Sequence, residues 1–127
     1  MSVAVTRGIR VKVEPTYVPG RSAPHKNLYF FAYRVTIENE GDVPVQLMNR
    51  HWTITDGTGR VEEVRGPGVV GAQPRLTPGQ SFEYTSFCPL STQVGSMVGS
   101  YEMVTDGGET FDVRIAPFTL AVPHALN

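Results

Sequence analysis

Apolar and polar residues alternate with a period of two along most of this 127-residue chain, and that alternation predicts strands with one buried face. Ile9, Val11 and Val13 face one way while Arg10, Lys12 and Glu14 face the other. Pro15 and the run Val18-Pro19-Gly20-Arg21-Ser22-Ala23-Pro24 end that strand in a loop. The next segment is the clearest: Tyr29, Phe31, Tyr33, Val35 and Ile37 share one face and Phe30, Ala32, Arg34, Thr36 and Glu38 the other, which assigns the odd positions to the core. Glu40-Gly41-Asp42 turns into Val45 and Leu47, but the next apolar residues, Trp52 and Ile54, have the opposite parity. A strand changes its buried parity only by gaining or losing a residue, so the switch predicts a bulge or bend near Met48 to Arg50. Arg50 and His51 sit at that irregularity.

Asp56-Gly57-Thr58-Gly59 reads as a turn into Arg60 to Arg65, a short strand whose charges suit a sheet edge. A loop from Gly66 to Pro74 follows, then Phe82 and Tyr84 on one strand and Met97, Gly99, Tyr101 and Met103 on another. Asp106-Gly107-Gly108 is the strongest hairpin signal and leads to Phe111, Val113 and Ile115; Pro117 resets the phase before Phe118, Leu120 and Val122. Seven or eight strands with turns at this spacing predict an all-β antiparallel sandwich. Tyr101-Glu102-Met103 matches the Tyr-x-Cys of immunoglobulin strand F with Met in place of the cysteine, and Trp52 suits the core Trp of strand C. The expected core contains Tyr29, Phe31, Tyr33, Val35, Trp52, Tyr84, Tyr101 and Met103.

Composition narrows the picture without changing it. Thirteen Gly and ten Pro suit a turn-rich β chain, and 40% apolar residues exclude wholesale disorder. The length predicts one domain over residues 1–127. A net charge of -1 supplies no bulk field toward nucleic acid or an anionic membrane, and neither is expected as a partner. The one cysteine, Cys88, has no intramolecular partner, Arg7 and Arg10 interrupt any secretory-type apolar run, and no stretch is apolar for long enough to span a bilayer. A reducing cytoplasm is the expected compartment.

Gly66, Gly68 and Gly71 stand in the G-x-G-x-x-G spacing that cradles pyrophosphate where a strand enters a helix. Pro74 and Pro78 forbid that helix, so a loop between strands is expected instead. Its amides still offer a candidate anion nest, with Arg50, Arg65 or Arg75 supplying charge, and this is the alternative reading: weak nucleotide or polyphosphate binding. Catalysis has less to stand on. His25, His51 and His124 form no H-x-x-x-H or H-x-E pair, and Asp56 or Glu62 beside His51 reads better as solvated charge than as a base and its orienting group. Cys88 has no basic neighbour in sequence to activate it. Asp56, Glu62, Glu63 and His51 offer hard ligands for magnesium or cobalt but no fixed spacing, so no metal or other cofactor is expected. Val69 and Val70, adjacent and apolar within the glycine loop, offer an exposed anchor for a partner, since at least one must point away from the core.

Several segments resemble the ApaG family in the family's order: Arg50-His51-Trp52, the glycine loop ending in Gln73-Pro74, Pro78-Gly79, Tyr84-Thr85-Ser86 and Gly95-Ser96-Met97. The resemblance runs from about Val11 to Phe118. It implies an immunoglobulin-like or fibronectin type III-like sandwich in a small bacterial cytoplasmic protein. It also implies a protein-binding role, by similarity to domains of some eukaryotic F-box proteins and of a polymerase-delta-interacting protein. Bacterial members are linked by name to cobalt and magnesium tolerance and by gene neighbourhood to diadenosine tetraphosphate breakdown. The expected function is therefore a non-enzymatic module that binds a cytoplasmic protein through Gly66, Gly68, Val69, Val70 and Gly71, with Arg50 and Arg65 beside them.

Overall fold

Two antiparallel sheets stack face to face in the computed structural model, which describes residues 1–125; the last two positions of the expected domain lie outside the described residues. One sheet has the order β1-β2-β3-β7, from β1 (Ser2–Thr6), β2 (Ile9–Tyr17), β3 (Tyr29–Asn39) and β7 (Ser81–Leu90). The other has the order β5-β4-β8-β9, from β4 (Val45–Asp56), β5 (Val61–Pro67), β8 (Val94–Thr105) and β9 (Thr110–Ala121), with the two-residue β6 (Arg75–Leu76) also paired to β4. This partition is that of an immunoglobulin-like, fibronectin type III-like sandwich. Among the described residues, eight strands are five residues or longer, and no helix is long and apolar enough to cross a membrane.

The alternating pattern places the core as expected. Tyr29, Phe31, Tyr33, Val35 and Ile37 of β3 are all buried, as are Trp52, Tyr84, Tyr101 and Met103. Trp52 packs edge-on against Tyr33, Tyr101 and Phe118, with centroids 5.4, 6.5 and 5.9 Å away, a geometry that aromatic quadrupoles favour. Asn39 is a fully enclosed polar residue: it donates from Nδ2 to Val43 O (2.8 Å) and Leu76 O (3.0 Å) and accepts from Gly41 N (2.9 Å). It ties the β3–β4 turn to β6.

The parity switch in β4 is a bulge. Leu47 pairs with Met103 but Asn49 with Glu102, so Met48 is the extra residue. Before it Val45 and Leu47 point inward; after it the inward positions are Arg50 and Trp52, and a guanidinium joins the inner face of a sandwich. A second bulge explains the phase reset at Pro117. Met97 pairs with Phe118 and Gly99 with Ile115, so Val98 opposes both Ala116 and Pro117. The segments on either side of the phase reset, Phe111–Ile115 and Phe118 onward, belong to one continuous strand ending at Ala121.

The pattern does not announce β1. Its valines are the exposed positions, Val3 at 40% and Val5 at 58%, while Ser2, Ala4 and Thr6 face inward, so the usual polarity is inverted. Arg7 (φ 49°) and Gly8 (φ 81°) join it to β2 in a two-residue turn.

Candidate functional site

Register decides what each loop residue can do. β5 pairs with β4 so that Gly66 lies opposite Arg50 and Arg65 opposite His51. Arg50 and Gly66 therefore share the inner face, whereas Arg65 and His51 share the outer one. A Cβ on Gly66 would lie 2.9 to 3.1 Å from the guanidinium of Arg50, so glycine here is the space in which that group rests. Arg50 Nη1 donates to Pro67 O (2.8 Å) and Gly68 O (2.9 Å) and fastens the start of the loop to the bulged strand.

Other bonds complete the fastening. Gly68 N and Gln73 Nε2 both donate to Met48 O (2.9 and 3.0 Å), using the carbonyl of the bulge residue, and Gln46 Nε2 donates to Gln73 O (3.0 Å). Within this frame Val69 and Ala72 exchange reciprocal backbone bonds of 2.8 Å around a tight turn, with Val70 at φ 42° and Gly71 at φ 80°. Positive φ at both central residues is the mark of a type I′ turn, where Gly or Asn is usual and a β-branched residue is strained. Val69 is 1% exposed and plugs the core; Val70 is 60% exposed at the tip. The expectation that at least one valine reaches solvent holds, and the outward one is Val70.

The three glycines serve three separate structural needs. Gly66 admits Arg50. Gly68 has φ +60°, and a Cβ there would lie 2.4 Å from Ala72 O. Gly71 supplies the second positive φ of the turn and faces open space. The amides of Gly68, Val69 and Ala72 all donate to carbonyls of the protein itself. Those three amides are therefore already engaged.

The structure divides the expected cations only in part. Arg65 opens onto a shallow outer depression of about 540 Å³ that Arg50 and Gly66 also line, with Asn49, Ser100, Glu102 and Asp112. Arg75 is ion-paired with Asp106. Of the three, only Arg50 also reaches the loop's inner side, where a cavity of about 160 Å³ lies between β4 and the β3–β7 pair under Val69 and Val70. Hydroxyls gather there. Tyr33, Tyr84 and Ser86 line it, and the Tyr84 and Tyr101 hydroxyls bond to one another. Burial holds the Tyr33, Tyr84 and Tyr101 phenols above the ordinary range, an effect the nearby Arg50 charge partly opposes. This cluster escaped the sequence reading, although Arg50 shares the parity of Trp52 beyond the bulge.

The remaining candidates have structural settings. The Asp56 carboxylate accepts from Thr58 Oγ1 (2.7 Å), Thr58 N (2.8 Å) and Arg60 N (3.1 Å), and these bonds lower its pKa and close the β4–β5 turn. His51 Nε2 lies 3.1 Å from Glu63 Oε1 on the outer face, not beside Asp56 or Glu62 as a base and its orienting group would require. Burial, with a contribution from the Glu62 charge, pushes the Cys88 thiol up to about 11. Among the described residues no three His, Cys, Asp or Glu side chains converge as they would around a metal ion.

Comparison with known proteins agrees with this architecture. The ApaG domain family model matches residues 19–105. Protein ApaG of Mesorhizobium japonicum is 58% identical over 120 residues, covering 94% of this chain and 92% of that protein. Protein ApaG of Azotobacter vinelandii is 59% identical over 119 residues, covering 94% of each. The crystal structure of a Bordetella pertussis protein described as ApaA superposes with a TM-score of 0.89 at 54% identity, over 91% of this chain and 94% of the other.

Proposed function

This chain belongs to the ApaG family, and we propose that it is a non-enzymatic, cytoplasmic protein-binding module that docks through the tip of the 68–74 loop. The observation that carries this reading is Val70, an apolar side chain 60% exposed and held at φ 42°. A β-branched residue in that conformation costs stability that Asn or Gly would not, and such strain tends to persist where function requires the side chain. The loop beneath it is fastened by Arg50, Met48 O, Gln46 and Gln73, so docking would freeze little additional chain.

The chemistry elsewhere supports the same class. Cys88 is buried with a raised pKa, and His51 faces an exposed carboxylate on an open sheet surface, so neither is part of a nucleophile, base and orienting group arranged around one reacting atom. A link to cobalt and magnesium tolerance, if it operates through this chain, runs through the protein it binds rather than through a metal site of its own.

The test is Val70→Asp. The variant should keep the native Trp52 fluorescence and lose the cytoplasmic protein that the wild type captures. Equal capture by wild type and variant would contradict the reading.

A further inference from the structure

We propose that the cavity beneath the 68–74 loop is a carboxylate subsite, in which Arg50 and the hydroxyls of Tyr33, Tyr84 and Ser86 receive the side chain of one Asp or Glu presented by the bound protein. The proposal rests on the reading of the chain as a protein-binding module and adds to it the chemistry of the partner: an acidic residue beside an apolar one that meets Val70.

Arg50 is placed as few surface arginines are. The bulge at Met48 turns it onto the inner face of the sandwich, and the missing side chain at Gly66 lets its guanidinium lie against β5. Nη1 is committed to two carbonyls, while Nε and Nη2 have no protein acceptor among the described residues. None of the ion pairs among those residues involves Arg50, and no carboxylate lines the inner cavity, where its half-enclosed positive charge meets phenols. The remaining Nε and Nη2 edge is the one that binds a carboxylate through two parallel bonds. Burial keeps Tyr33 and Tyr84 protonated, and with Tyr101 as donor in its bond to Tyr84 the Tyr84 proton is left for a carboxylate.

Size and charge select among anions. The cavity, about 160 Å³, falls well below the roughly 300 Å³ at which pockets begin to hold drug-sized ligands, so a nucleotide does not fit inside. Its single cation balances a monoanion better than a phosphate dianion. The larger outer depression lacks this imbalance, since Arg50 and Arg65 share it with the carboxylates of Glu102 and Asp112.

The experiment titrates the purified protein with sodium acetate at constant ionic strength while NMR follows the Arg50 Nε–H and Tyr84 ring signals. Acetate should produce saturable shifts with a half-point in the millimolar range, and acetamide, its neutral analogue, should not. Arg50→Gln should abolish the response, and Tyr84→Phe should weaken it by roughly ten-fold, about what a hydrogen bond to a charged group contributes. The titration of the wild type stands on its own if a variant fails to fold. No saturable response to acetate, an equal response to acetamide, or tighter binding of inorganic phosphate would overturn the proposal. Because no partner protein is needed, failure here is separable from failure of the module reading, which Val70→Asp tests without reference to the cavity.

Discussion

Replacing Val70 by Asn should stabilise the domain while weakening its binding. Val70 sits at φ 42°, in the left-handed region that costs an L-residue about 1–2 kcal/mol and that Asn tolerates better. The apolar burial that the valine provides opposes this gain. The side chain is 60% exposed, so the covered apolar area is on the order of 50 Å², worth about 1 kcal/mol as an upper bound, of which the Asn Cβ retains part. The net gain is about 0.5–1 kcal/mol, or roughly 2–4 °C in Tm for a domain of this size. Urea unfolding followed by Trp52 fluorescence measures it, since that side chain is buried at 3% exposure. The paired control is Val69→Asn. At 1% exposure, Val69 should cost about 3 kcal/mol or more, through reduced apolar burial and a poorly satisfied amide. Destabilisation of Val70→Asn by more than about 0.5 kcal/mol, or equal effects at the two positions, would refute the reasoning.

Three further outcomes follow from the packing. Gly68→Ala should cost about 2–4 kcal/mol because its Cβ would meet Ala72 O at 2.4 Å, whereas Gly71→Ala, with similar φ but open space, should cost only about 1 kcal/mol; equal losses in urea unfolding would contradict this. Asn39→Ala should cost about 2–3 kcal/mol by leaving the Val43 and Leu76 carbonyls and the Gly41 amide without their partner, and a change below about 1 kcal/mol would show that water replaces it. Burial raises the Tyr33, Tyr84 and Tyr101 phenols in the folded state, so their contribution is fully present below the unfolded phenol value of 10.0 and is lost as pH rises above it. Phenolate absorbance of these three should then appear together with loss of Trp52 fluorescence; gradual ionisation near pH 10 in an intact fold would contradict the burial argument.

How much of this was legible in the sequence varied with the range of the interaction. Alternation is local, so β3 and the Met48 bulge could be read from Tyr29 to Ile54 without knowledge of their neighbours. The same parity placed Arg50 on the core side with Trp52, but a charged residue in a core phase is chemically informative only once its surroundings are known. Those surroundings come from β3, β5 and β7, whose registers bring Gly66, Tyr33, Tyr84 and Ser86 to it across long stretches of chain. Register also gives Arg65 and Arg50 opposite parity, although both reach the outer depression. β1 was hidden for a different reason: Val3 and Val5 sit on the wet face, so the apolar-inside rule points the wrong way there. The spacing of Gly66, Gly68 and Gly71 suggested one shared task, and backbone geometry gives them three.

The central claim is that binding is specific to the loop tip rather than to exposed apolar surface in general. Val61, on the β5 edge, is 58% exposed and Val70 is 60% exposed, so the two are matched in accessibility and differ in place. Quantitative capture of cytoplasmic protein by the wild type, Val70→Asp and Val61→Asp, each verified as folded, is the direct measurement. Val61→Asp should capture the same partner as the wild type, and Val70→Asp should lose it. Retention by Val70→Asp, or equal loss by both variants, would contradict the claim.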